Sequence, residues 1–341
     1  MSRLSYLGIH MSRPTRRDYV SSIRGLRNFG LSCCVNALLQ SISATEELLK
    51  LLDRWNPSGN YEERNNVPLL LRKTLHSMQG ETPQPAPHCE FLDCLDRNSI
   101  PRNVQHDADE VFLSILNLIL QKMTDTQLKE EILELYKVKV EGHVVCSECT
   151  FDHKVNSYML SLPLPLQKGQ NNLEDCIQTF FRQQELSGED KCYCERCGEK
   201  QRSTQGFKLC SLPQILCIHL KRFRYEGGFT QKLHCKVTFP DTLNFSSILD
   251  PDCISDVFKK DDSPYSLYAV VVHSGTAMFG HYTAYIQPPG EQTWYYANDS
   301  RVRQVNWDKV QSSFGGQNDG DTAYMLLYRR QKTSEDQGYS V

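Results

Sequence analysis

The stretch Arg24-Gly25-Leu26-Arg27-Asn28-Phe29-Gly30-Leu31-Ser32-Cys33-Cys34-Val35-Asn36 decides how the rest of the chain is read. Two glycines and an asparagine make it a turn, and Ser32 stands where a helix cap is favoured. Beyond it, Leu38, Leu39, Ile42, Leu48, Leu49 and Leu52 recur at helical intervals, with a break expected over Ser43 to Thr45. Cys33 therefore falls where a glycine-containing turn enters a helix. A helix N-terminus favours the thiolate form of a cysteine, and the thiolate is the nucleophile. Such a nucleophile needs a base and an orienting group, which are usually remote in sequence. The best base lies in Phe279-Gly280-His281-Tyr282-Thr283-Ala284-Tyr285, where His281 opens a strand after a glycine. A strand pair running on to Trp294-Tyr295-Tyr296-Ala297-Asn298-Asp299-Ser300 would bring Asn298 or Asp299 beside the imidazole.

Outward from this point, the chain holds 14 cysteines among 341 residues. Met1 to Val20 lacks the continuous apolar stretch of a secretory signal. The longest apolar run, Val111 to Leu120, is half of what a bilayer span needs, so no membrane insertion is expected. A cytoplasmic or nuclear address follows, in which cysteines stay reduced and are catalytic, metal-binding or buried. Cys146-Ser-Glu-Cys149 and Cys194-Glu-Arg-Cys197 have metal-ligand spacing. Two tight turns of this kind supply the four sulfurs of a closed structural zinc site, one Zn2+ per chain. Gly198 follows the second pair, where such a knuckle calls for a positive φ. Cys34, Cys89, Cys94, Cys176, Cys192, Cys210, Cys217, Cys235 and Cys253 read as packed or bystander thiols, and His219 and His273 as core histidines. The net charge of -3 argues against a nucleic-acid partner, which would need clustered Lys and Arg.

Helical periodicity predicts helices over about 67–79, 105–123 and 126–136, with an extended proline linker through Pro83, Pro85 and Pro87. After Tyr136 the character changes. Segments 137–145, 154–162, 204–210, 214–224, 265–273, 281–286 and 322–328 read as strands, with one helix over 172–181. Helices first and strands afterwards imply an α+β architecture.

These motifs, taken together, resemble the ubiquitin-specific protease family of cysteine isopeptidases. The run from Gly25 to Cys33 is similar to its cysteine box, and Gly280-His281-Tyr282 with Ala284-Tyr285 to its histidine box. Gln105-His106-Asp107-Ala108-Asp109-Glu110, Ile218-His219-Leu220-Lys221-Arg222-Phe223 and Ala323-Tyr324-Met325-Leu326-Leu327-Tyr328 match further family motifs, and the CxxC pairs match its zinc knuckles. Leu31, Cys34, His106 and Ala297 depart from the family pattern, which usually has a polar residue, Tyr, Gln and Phe there. The resemblance implies a papain-like hand: a thumb of helices over about 23–136, β fingers tipped by zinc over about 137–160 and 190–240, and a β palm from the remainder of a single catalytic domain at 23–330. Flexible ends are expected at 1–22 and 331–341. It implies Cys33 as nucleophile, His281 as general base, Asn298 as orienting residue with Asp299 sharing that role, and Asn28 as side-chain oxyanion donor. The implied substrate is a ubiquitin-like modifier joined through its C-terminal glycine to a lysine. The Cys33-Cys34 pair and the Gln105 to Ala108 stretch look closest to an interferon-induced branch that removes a tandem ubiquitin-like modifier. That branch implies interferon receptor signalling components as partners and damping of interferon signalling. A general deubiquitinase, and a modifier- or receptor-binding scaffold with secondary catalysis, are the alternatives.

Overall fold

A computed structural model describes residues 23–57, 62–80, 82, 84–258, 263–316 and 320–331. Of the ends expected to be flexible, 1–22 and 331–341, all but Gln331 lie outside the described residues. Six helices come first: α1 (Cys33–Ser43), α2 (Glu46–Arg54), α3 (Val67–Met78), α4 (Cys89–Arg97), α5 (Ala108–Lys122) and α6 (Thr126–Tyr136). The break between α1 and α2 falls at Ala44 and Thr45, as the interrupted leucine pattern predicts. α5 starts later than its periodicity suggests. The Asp107 carboxylate accepts the N–H groups of Asp109 and Glu110, capping the helix and leaving Gln105 and His106 in the entering loop. α4 is absent from the sequence reading; it begins directly after the proline run and buries Phe91, Leu92, Cys94 and Leu95.

The remainder is mostly sheet. A mixed eight-stranded sheet runs in the order Arg301–Val305, Trp294–Asn298, Gly280–Ile286, Tyr265–Gly275, Thr322–Arg330, Ile215–Lys221, Leu162–Pro165, with Thr242–Leu243 pairing beside Tyr265–Gly275. All its pairings are antiparallel except that of Leu162–Pro165 with Ile215–Lys221. Its central strands are buried on both faces, which explains their unbroken apolar runs. Ile215, Cys217, Ala269, Val271, Ala284 and Leu327 face the helices. Leu216, Ile218, Val270, Val272, Tyr285 and Leu326 face a second core built with α7 (Leu173–Phe181). Each such aliphatic side chain contributes about 1.5–3 kcal/mol by leaving water. The helices and this sheet are also joined by polar ties: Asp109 Oδ2 lies 3.1 Å from His219 Nδ1, the Tyr324 hydroxyl donates to Asp107, and Thr45 Oγ1 lies 2.8 Å from the Tyr268 hydroxyl.

A separate four-stranded antiparallel sheet, in the order Asp152–Met159, Val138–Cys146, Ser203–Ser211, Gln184–Leu186, carries the two CxxC turns at one end. Two details differ from the expected finger boundaries. Gln184–Leu186 joins this sheet, and Ile215–Lys221, inside the 190–240 span, belongs to the eight-stranded sheet. The cause is burial: Ile215 to Ile218 are all under 2 % exposed, a pattern only a two-faced core accepts, whereas Asp152–Met159 is exposed along most of its length. Among the described residues, no helix is long and apolar enough to cross a membrane.

Candidate active site and candidate metal centre

Cys33 is the first residue of α1 and 3 % exposed. Ser32 occupies the cap position but makes no side-chain capping bond; its hydroxyl instead accepts the Phe29 N–H at 2.9 Å, which tightens the turn. α1 packs on the Gly280–Ile286 strand, whose second residue is His281. Cys33 is the neighbour that acts most strongly on the His281 ring. His281 Nε2 lies 2.9 Å from Asn298 Oδ1. Cys33 raises the His281 pKa most. Burial opposes it, Asn298 and the nearby Asp299 charge assist, and the net result is about 9. Gly280 is required beside it: a Cβ there would sit 2.1 Å from His273 Nε2. His273 is buried and held neutral, its pKa pushed down to about 3 by burial first and by Lys232 next.

Asn298 and Asp299, left open as alternatives by the sequence, separate in space. Asn298 ends the Trp294–Asn298 strand and pairs with Arg301 across a two-residue turn. Asp299 enters that turn at φ 48, a left-handed conformation that Asp tolerates better than most residues. Asn298 meets His281 directly, whereas Asp299 Oδ2 is 4.0 Å from His281 Nε2. The Asp299 carboxylate faces the thumb instead. Oδ2 accepts from Asn28 Nδ2 at 3.0 Å and Oδ1 from Asn36 Nδ2 at 2.7 Å. The turn is clamped further by the Leu26 N–H, which donates to the Asp299 carbonyl at 2.9 Å. Gly25 permits this approach, since a Cβ there would lie 2.4 Å from the Ser300 carbonyl oxygen. Asn28 Oδ1 accepts the Ser32 N–H at 3.2 Å, so both ends of the Asn28 amide are held one residue short of the cysteine. Asn36 and His88 were not singled out as site residues. The available signal was Asn36 itself, a polar residue inside an otherwise apolar helix turn.

Cys34 is fully packed, and burial, followed by the Cys33 and Asp107 charges, pushes its thiol well up. It cannot share the site with Cys33, because neighbours on a helix point about 100° apart. Cys94, Cys176, Cys217 and Cys253 are buried as expected, and Cys210 and Cys235 half-buried. Cys89 is a correction: it is exposed, because it opens the first turn of α4 on the face turned from the core.

At the tip of the four-stranded sheet, the sulfurs of Cys146, Cys149, Cys194 and Cys197 all lie within 4.8 Å of one another. Cys146 Sγ is 4.0 Å from Cys197 Sγ, and Cys149 Sγ is 3.6 Å from Cys194 Sγ. Thiolates at about 2.3 Å from a tetrahedral ion stand roughly 3.8 Å apart, so this donor set fits one ion. The two knuckles share a backbone plan. Thr150 N–H donates to the Cys146 carbonyl at 3.0 Å and Gly198 N–H to the Cys194 carbonyl at 2.9 Å, with φ 55 and 73 respectively. Thr150 holds a conformation that a β-branched residue rarely adopts. Cys192 stands outside the cluster, its sulfur 4.0 Å from the Asp190 carbonyl.

The chain is similar to known proteins over most of its length. The ubiquitin carboxyl-terminal hydrolase family model matches residues 24–328. Ubl carboxyl-terminal hydrolase 18 of Homo sapiens is 37% identical over 326 residues, covering 93% of this chain and 88% of the relative. Its Mus musculus counterpart is 37% identical over 321 residues, covering 92% and 87%. Ubiquitin carboxyl-terminal hydrolase 47 of Drosophila melanogaster is 27% identical and matches 92% of this chain but 25% of its own length. With the hand-like α+β fold and a family match spanning both the cysteine and the histidine motifs, this chain belongs to the ubiquitin carboxyl-terminal hydrolase family, the deconjugating cysteine proteases.

Proposed function

We propose that Cys33 is the nucleophile of an isopeptidase that releases a ubiquitin-like modifier from lysine, with His281 as acid and base. The observation that carries this reading is that His281, held by Asn298 at 2.9 Å, has Cys33 as the neighbour acting most strongly on its ring. Cys33 sulfur adds to the carbonyl carbon of the modifier's terminal glycine. The isopeptide C–N bond then breaks as the His281 imidazolium gives its proton to the departing lysine amine. In the second half, His281 takes a proton from water, the hydroxide adds to the thioester, and the glycine carboxylate leaves as sulfur departs. Asn298 holds the imidazole in one tautomer, as a neutral amide does in Cys-His-Asn sites. Asn28 Nδ2 has a second hydrogen beyond the one given to Asp299, and with the Cys33 backbone N–H it serves the oxyanion.

Zinc is the ion proposed for the four cysteines. A closed four-thiolate site has no open position for water, so its work is to brace the fingers. Cys146, Cys149, Cys194 and Cys197 hold it, and no catalytic step runs through it.

The similarity to the Ubl carboxyl-terminal hydrolase 18 relatives supports the tandem, interferon-stimulated modifier as substrate in preference to ubiquitin. Removing it would damp interferon signalling, with contact to interferon receptor components as an associated, non-catalytic role. Cytoplasm and nucleus are the compartments this reading implies, where thiols stay reduced. The test is competitive labelling with ubiquitin and with the tandem modifier, each carrying a C-terminal electrophile. Faster labelling by the tandem modifier is expected; preference for ubiquitin rejects the narrower substrate and leaves the isopeptidase in place.

A further inference from the structure

His88 lies outside the catalytic row, yet it is only 2 % exposed and begins a line of hydrogen bonds that runs through Asn36 and Asp299 to Asn28. Its Nε2 is 2.9 Å from Asn36 Oδ1. Asn36, itself 2 % exposed, gives its amide hydrogens to the Arg27 carbonyl at 3.2 Å and to Asp299 Oδ1 at 2.7 Å. The other Asp299 oxygen holds Asn28 Nδ2 at 3.0 Å.

The Asn36 amide has one orientation that suits its partners. Both groups facing Asn36 Nδ2 are pure acceptors, so the nitrogen must point at them and the oxygen at His88. An oxygen needs a donor, so His88 Nε2 carries the proton. Burial keeps the ring neutral by pushing its pKa down, which allows a single ring proton. The other nitrogen is 3.3 Å from the Ala86 carbonyl, a longer contact than the one to Asn36. Turning the Asn36 amide over would set its oxygen against the Asp299 carboxylate, so a donor at the far end holds the near end in place.

We propose that His88 and Asn36 are positioning residues for the hydrolysis, locking the Asp299 carboxylate so that Asn28 is aimed at the oxyanion. The inference rests on the oxyanion reading of Asn28. His88 stands just ahead of α4 and Asn36 one turn into α1, so the line joins two thumb helices to the turn that follows Asn298.

Two amide substitutions separate positioning from bulk. His88→Gln carries its N–H as far out as Nε2, and His88→Asn stops at the position of Nδ1. With a fluorogenic C-terminal conjugate of the modifier, His88→Gln should keep kcat within about 2-fold, while His88→Asn should lower it about 10-fold at unchanged KM. In an Asn28→Ala background the His88→Asn effect should vanish, because the line ends on Asn28. Equal losses for both amides, wild-type turnover by His88→Asn, or a loss that persists in full without Asn28 would each overturn the proposal. Asn28→Ala alone reports separately on the oxyanion reading: wild-type turnover there would remove that reading, whatever the amide pair does. Nitrogen chemical shifts of labelled wild-type protein need no folded variant. They should show His88 protonated at Nε2, and a ring protonated at Nδ1 alone would refute the line.

Discussion

The cleft and the fingertip use the same side chain for opposite purposes. Cys33 is a single thiol at a helix start, beside an imidazole whose side chain is 39% exposed. Cys146, Cys149, Cys194 and Cys197 are four sulfurs turned on one another at the end of an exposed sheet. The first arrangement has one reactive atom and an asymmetric set of neighbours, each suited to one step of acyl transfer. The second is symmetric and closed, which suits an ion and leaves nothing to react. Neither outcome is a property of cysteine. Cys34, adjacent to Cys33, has neither set of neighbours, and burial pushes its thiol well up.

If the division between cleft and fingertip is right, Cys33→Ala should remove turnover on a fluorogenic modifier conjugate while binding of the intact modifier persists. Residual hydrolysis would erase the contrast. Asn28→Ala should follow, costing about 2.7–4 kcal/mol of barrier, read as a fall in kcat with KM little changed. A third test sharpens the electrostatic half of the comparison. With His281 as the proposed proton donor and its pKa raised to about 9, turnover should hold through neutral pH and decline as pH rises through that value. The same shift has a stability consequence. Its folded value exceeds the unfolded value of about 6.5, so its contribution is complete below that pH and is lost as pH rises through about 9. Denaturant titrations of wild type against His281→Asn should therefore converge at alkaline pH. At the fingertip, elemental analysis of the wild type should find one zinc per chain, and Cys146→Ser should release it and lower the melting midpoint. Hydrolysis of a minimal C-terminal peptide substrate should stay within about 2-fold of wild type, since the cleft is untouched. An unchanged melting curve would count against a structural site. Smallest of all, Cys34→Ala should cost about 1 kcal/mol of stability and leave turnover nearly intact.

Much of the contrast was legible in the sequence for a physical reason. Ligand spacing in Cys146 to Cys149 and Cys194 to Cys197 is local, and a tight turn is readable from four residues. The helix-entry position of Cys33 is local too, and the two-faced strands such as Ile215–Lys221 announce themselves by continuous apolar runs. What escaped depends on tertiary contact. α4 is nine residues long and follows three prolines, so its apolar face registers too briefly to read as a period. Strands such as Gln170–Asn172 and Lys236–Thr238 are three residues each and exist because they pair with one another. The division of labour between Asn298 and Asp299 was invisible for the same reason. Adjacent residues at a turn point to opposite sides, and only the fold shows that one side holds His281 and the other the thumb.

The most direct measurement is peptide mapping by mass spectrometry after reaction with a modifier bearing a C-terminal electrophile. One adduct should form, on Cys33, in the wild type and in Cys34→Ala, and none in Cys33→Ala. An adduct on Cys34, or labelling that survives the loss of Cys33, would show that the cleft is organised around a different atom.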